Sequence, residues 1–162
     1  MPDKQKLYRG SCHCRRVKFT FRSGLVHPYQ RCYCSICRKV QGGGGYAINL
    51  SGDAASLKVT GQRYVKKYRA ILGKKNSDAL RNFCGFCGSM LWLFDPGWPD
   101  LIHPFASAIN SKLPNAPATT HLMLKFKPAW VKVDKRKGDK EFSLYPEESI
   151  AEWHARHHLA GK

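Results

Sequence analysis

Cys12-His13-Cys14, Cys32-Tyr33-Cys34-Ser35-Ile36-Cys37 and Cys84-Gly85-Phe86-Cys87 together hold all seven cysteines of the chain. A C-x-C on a strand puts both sulfurs on one face, because side chains alternate with period two. A C-x-x-C wraps two sulfurs around one point. Zinc takes four ligands in a tetrahedron at structural sites, and three plus an open position at catalytic ones. Seven thiols therefore divide as four and three, one closed site and one open, although spacing alone leaves undecided which four belong together. A histidine completing the smaller set would instead make both sites structural.

The odd cysteine count argues against a disulfide framework, as does the strain of bridging a C-x-C pair internally. The opening residues MPDKQK show no apolar signal region and no cleavage site. The expectation is a reducing compartment, the cytoplasm, with the nucleus as the alternative.

The 162 residues read as one domain spanning 1–162, with a core over about 8–131 and a basic C-terminal extension. The apolar fraction of 43% is ordinary, and no run is long enough to cross a membrane. A net charge of +17 draws anions: acidic peptides, phosphates or nucleic acid.

Alternating apolar patterns recur at Val17–Phe21, Tyr46–Leu50, Tyr64–Tyr68, Met90–Phe94 and His121–Phe126. Each is short, rich in β-branched or aromatic residues and bounded by turn formers, which predicts a mainly β protein of small antiparallel sheets. Helix is expected in one turn over Ser35 to Val40 and in a C-terminal segment over about 146–159. In the latter, Glu147, Glu148 and Glu152 begin the helix and Arg156, His157 and His158 end it, which suits the helix dipole. The four glycines Gly42 to Gly45 read as a flexible connector, with one or two free to line a pocket.

Four stretches taken together resemble one family: Gly10-Ser-Cys-His-Cys14, Cys32-Tyr-Cys-Ser-Ile-Cys-Arg-Lys39, Arg81-Asn-Phe-Cys-Gly-Phe-Cys-Gly-Ser89 and Lys127-Pro-Ala-Trp-Val131. The family is that of the glutathione-dependent formaldehyde-activating enzymes, which also contains centromere protein V. The resemblance implies small β-sheets organised around zinc, two zinc ions per chain. It implies a structural zinc on Cys12, Cys14, Cys84 and Cys87. It implies a second zinc on Cys32, Cys34 and Cys37, with a position left for a substrate sulfur or water. The implied activity makes or breaks a carbon–sulfur bond at the glutathione thiol, as in the formaldehyde–glutathione hemithioacetal. The chain departs from the family pattern where Ala108-Ile109-Asn110 replaces an aspartate-containing segment and where Tyr33 replaces a histidine.

Independently of the resemblance, three thiolates on Zn²⁺ leave a net charge of −1 and a weak Lewis acid. Such a site suits holding a fourth sulfur better than generating hydroxide. Arg38, Lys39 and Arg81, beside the second and third clusters, are candidate contacts for glutathione carboxylates. His103 and His121 are minor candidates to reach the open site. His13 is expected to point away from the metal of its neighbours, and His154, His157 and His158 to lie at the surface.

Two functions follow. The first is a zinc-dependent carbon–sulfur lyase or transferase acting on a glutathione or other thiol adduct. The alternative is a non-enzymatic zinc module binding nucleic acid or an acidic partner through Lys66-Lys67, Lys74-Lys75 and the Lys125 to Lys140 segment. The first is favoured, because an open metal site needs more explanation than a basic surface.

Overall fold

A computed structural model of the chain describes residues 5–161. In chain order the strands are β1 (Lys6–Ser11), β2 (Lys18–Ser23), β3 (Gln30–Cys32), β4 (Ala47–Ile48), β5 (Gly52–Asp53) and β6 (Lys58–Thr60). They continue with β7 (Val65–Leu72), β8 (Lys75–Cys84), β9 (Met90–Phe94), β10 (Leu101–Pro104), β11 (Thr120–Leu122) and β12 (Lys140–Glu141). Two short helices, α1 (Ser35–Val40) and α2 (Ile150–Arg156), complete the regular structure.

Three small sheets result, in the orders β1-β2-β6, β5-β10-β9-β8-β7 and β12-β11-β3-β4. The first two are antiparallel throughout, while β11 runs parallel to both β3 and β12. The fold is thus mainly β.

Period-two alternation explains how the sheets close on one another. In β2, Phe19 and Phe21 are buried while Lys18 and Arg22 are exposed. Those rings meet Tyr8, Leu91, Trp92 and Ile102 in the main core, with Phe19 and Trp92 centroids 5.2 Å apart. Each such side chain contributes about 1.5–3 kcal/mol on burial. Cys12 and Cys84 lie in this same core. Gly10 is required where β1 crosses it: a Cβ there would strike the Phe19 ring and approach the Ala108 carbonyl oxygen to 2.7 Å. A second, smaller core gathers Cys32, Cys37, Ala47 and Leu122, with Phe105, Met123 and Phe142 packed around it. Phe105 touches both cores and links them.

Several expected elements differ. The apolar run His121–Phe126 divides, because Met123 adopts a left-handed conformation (φ 60°) and the chain continues as a 3-10 turn over Leu124–Phe126. The C-terminal helix covers only Ile150–Arg156. Ser149 caps it: its hydroxyl accepts the Glu152 N–H and the Glu152 carboxylate accepts the Ser149 N–H, a capping box that sets the start. Its Trp153 ring stacks on Tyr29 with centroids 3.7 Å apart. His154 is fully buried there, contrary to the surface position expected, because its Nδ1–H donates to the Ile150 carbonyl and its Nε2 accepts the His27 N–H. In the glycine connector Gly43 and Gly44 are exposed, but its end is fixed. Gly45 has φ 86° and packs on Val131, so the Lys127–Val131 stretch is anchored against the segment that follows α1.

Candidate metal centres and their polar pocket

Cys12 and Cys14 stand in the turn between β1 and β2, not on a strand as their spacing suggests. The Arg15 N–H donates to the Cys12 carbonyl, and Arg15 takes φ 63°, so the turn itself directs both sulfurs inward. Cys84 ends β8, and the following turn, closed by Gly88 N–H on the Cys84 carbonyl, returns Cys87 beside it. The four Sγ atoms lie within 4.8 Å of one another. Cys12 and Cys14 are 3.5 Å apart and Cys14 and Cys84 3.8 Å. A tetrahedral site with metal–sulfur bonds of about 2.3 Å has edges of about 3.8 Å, so these sulfurs fit a tetrahedral soft metal. Burial pushes the Cys12 thiol up to about 11, so its thiolate needs a cation at the sulfurs.

In the second cluster, only Cys32 lies on a strand. Cys34 caps α1, its sulfur accepting the Cys37 N–H at 3.2 Å, and Cys37 occupies the helix's first turn. The three Sγ atoms again lie within 4.8 Å of one another. Among the described residues no fourth His, Cys, Asp or Glu donor comes within that distance of all three. Contacts from Cys32 and Cys37 pull the Cys34 thiol down to about 2, and the same close packing pushes Cys32 up. Sulfurs so crowded share protons in isolation and suit a common cation.

Around Cys37 the structure places an uncommon group of unmet polar atoms. Nine buried side-chain nitrogens and oxygens lack a hydrogen-bond partner among the described residues, and six of them belong to Arg38, Gln41, Asn49 and Arg81. Asn49 reaches Cys37 directly, its amide nitrogen 3.8 Å from the sulfur. Arg38 and Gln41 follow Cys37 on and just beyond α1. The Cys37 thiol is pulled down by Cys32, then raised past that by Cys34 and burial to about 11, with the nearby Arg81 cation acting against the rise. Arg81 is 6% exposed, and its Nε and Nη1 meet no acceptor. Native interiors leave few such atoms unpaired, so a concentration of them marks a place for ordered water or a polar ligand. Gln41 also borders a cleft of about 550 Å³ that is lined as well by Cys12, Gly88, Ser89 and Phe105.

The candidate residues therefore part company. Arg81, near Cys37, and Arg38 each keep buried nitrogens without a partner, whereas Lys39 is exposed. His103 is tied to the Leu50 carbonyl at 3.1 Å, and His121 to the Tyr33 hydroxyl; neither joins a sulfur cluster. His13 is exposed. Sequence reasoning missed Gln41, Asn49, Phe142 and Tyr145. Gln41 was within reach, lying four residues beyond Cys37 and so on the same helical face. Phe142 and Tyr145 had no signal; they arrive because the Met123, Leu124 and Lys125 N–H groups donate to carbonyls of residues 142–144. Tyr145 is exposed but lies in the field of that cluster: partial desolvation of its ring, then the charges of Cys32, Cys34 and Cys37, raise its phenol.

Small sheets carrying two sulfur sites able to hold metal ions define the class of protein. The chain belongs to the glutathione-dependent formaldehyde-activating enzyme family, which it matches over residues 7–121. It is 56% identical, over 93% of its length and 96% of the other's, to a Halomonas elongata protein named "Putative glutathione-dependent formaldehyde-activating enzyme". It also resembles a crystal structure of a Rhodobacter sphaeroides protein, with TM-score 0.51 and 25% identity over 65% of this chain and 91% of that one. Among the described residues no helix is long and apolar enough to cross a membrane.

Proposed function

We propose that the chain is a zinc-dependent carbon–sulfur lyase or transferase that forms or cleaves adducts between glutathione and a small aldehyde. Cys12, Cys14, Cys84 and Cys87 hold a structural zinc, and Cys32, Cys34 and Cys37 hold a second. When bound at the second site, zinc supplies a soft, weakly acidic position suited to a fourth sulfur. The observation that carries the reading is the three-sulfur set with no fourth donor among the described residues, beside the six unmet polar atoms around Cys37.

The unmet atoms describe their ligand. The Nε and Nη1 of Arg81 and the Nε of Arg38 call for acceptors, as a carboxylate provides. Gln41 needs both a donor and an acceptor, and Asn49 Oδ1 needs a donor, as peptide amides and an ammonium provide. A thiol tripeptide with two carboxylates satisfies this set. Phe105 and Phe142 pack beside the sulfurs and keep water from them. In adduct formation the thiol sulfur bonds to the aldehyde carbon. The carbonyl π pair moves to oxygen, which takes up the proton the thiol gives up; cleavage is the reverse.

The test is calorimetric titration of zinc-loaded chain with glutathione, alongside an assay of hemithioacetal turnover. Binding that weakens in Arg81→Met, with turnover in the parent, is the expected result. Neither binding nor turnover with zinc fully loaded would remove the reading.

A further inference from the structure

The outer face of the β1-β2-β6 sheet carries cations that belong to neither sulfur site. Arg9 faces Thr20 across β1 and β2, and Thr20 faces Lys58 across β2 and β6. In the next row Ser11 faces Lys18, and Lys18 faces Thr60. Every cation in these rows thus has a hydroxyl as its direct cross-strand neighbour, which keeps like charges off opposing positions. Arg15, from the left-handed turn, and Asn110 close the end of the face into a groove of about 730 Å³. Four cations line it and no carboxylate does. Among the described residues none of the four joins an ion pair, so their charge is not offset by a neighbouring carboxylate.

We propose that this groove grips the phosphodiester backbone of a nucleic-acid duplex, by charge and hydroxyl contacts and without reading bases. The side-chain types present are Arg, Lys, Ser, Thr and Asn, which are those that contact phosphate oxygens. A protein partner would need a central apolar or aromatic anchor. The groove has none: its one aromatic, Phe19, is 2% exposed and belongs to the core. A single strand would need exposed aromatic platforms for its bases, and these are absent from the groove too. A surplus of unpaired cations on a concave, hydroxyl-bearing surface suits the regular phosphate array of a duplex.

The test uses the zinc-loaded full chain and a labelled duplex of about 20 base pairs, with affinity followed by fluorescence anisotropy between about 50 and 200 mM KCl. Two triple variants remove the same charge: Arg9→Gln/Lys18→Gln/Lys58→Gln in the groove, and Lys67→Gln/Lys74→Gln/Lys75→Gln on the β7–β8 hairpin. All six positions are exposed, so both variants keep the fold. The groove variant is expected to lose about ten-fold or more in affinity and to flatten the log–log salt slope by about 2.7, the loss of three phosphate contacts. The hairpin variant is expected to stay within about three-fold of the parent, and scrambling the duplex sequence to change nothing. Equal losses in the two variants would reduce the effect to net charge and overturn the proposal. No parental binding near 150 mM salt, or displacement by polyglutamate as effective as by unlabelled duplex, would overturn it as well.

Discussion

The Tyr33 hydroxyl lies 2.9 Å from Nδ1 of His121, with both side chains almost wholly buried. Beyond it, His121 Nε2 faces Asp139 Oδ2 at 3.7 Å. Donation from the tyrosine to Nδ1 leaves the imidazole proton on Nε2, toward the carboxylate; the opposite tautomer would aim a lone pair at it. The chain of three fastens the start of the second cysteine cluster to β11, which pairs with β3. Tyr33 thus spends its hydroxyl on structure.

Tyr33→Phe should therefore lower stability by about 1–3 kcal/mol, since it leaves a buried ring nitrogen unpaired. Metal content should be unchanged, because the Phe ring keeps the packing against Tyr46. Denaturant unfolding with metal analysis on the same samples checks both halves. A stability equal to the parent's would show that the hydrogen bond contributes nothing net.

The two cysteine clusters should respond differently to loss of one ligand. Cys84→Ser is expected to abolish cooperative folding. Cys84 is fully buried in the main core, and structural zinc is worth about 10–16 kcal/mol in small zinc domains. Cys37→Ser should keep the fold and lose glutathione binding. Circular dichroism and calorimetry on the two variants decide it; identical unfolding would make both sites structural.

Arg81 sets binding against stability. Its replacement by Met removes a buried guanidinium with two unmet donors, so the variant should unfold at a higher temperature than the ligand-free parent. It should also bind glutathione about 10- to 100-fold more weakly, the value of hydrogen bonds to a charged group. A less stable variant with unaltered binding would place the ligand elsewhere.

Three histidines at α2, His27 and His154 buried and His157 half-buried, give stability a pH dependence. Burial lowers the affinity of His27, His154 and His157 for protons, most plainly at His154, whose nitrogens are both engaged. The unfolded chain then binds more protons than the folded one below about pH 6.5, so stability is full above that value and falls as pH drops through the depressed range. Thermal unfolding at constant ionic strength should show a midpoint lower by a few degrees, on the order of 2–4 °C per kcal/mol, at pH 5.5 than at 7.5. A flat profile over that interval would contradict the burial argument.

Much of this architecture was legible from residue order, for reasons that particular elements make clear. Met90–Phe94 and Ser35–Val40 form the expected strand and helix; the strand is a short apolar and aromatic run that lies inside its sheet, between β10 and β8, and the helix follows directly from its Cys34 cap. The cysteine pairs mislead about local structure: Cys12 and Cys14 converge through a turn with a left-handed Arg15, which no period-two argument reveals. The polar pocket was partly visible, through Arg38 and Arg81 beside their cysteines. Asn49, Phe142 and Tyr145 come from distant segments, brought in by β4 and by backbone bonds from residues 123–125. His154 hid because its burial depends on Tyr29 and His27, more than a hundred residues away.

Zinc per chain in the purified protein, determined by elemental analysis before and after mild chelation, tests the central claim most directly. Two zinc ions are expected, one of them removed by the chelator while circular dichroism shows the fold unchanged. A single ion per chain, or two that leave only when the chain unfolds, would contradict a closed structural site beside an open exchangeable one.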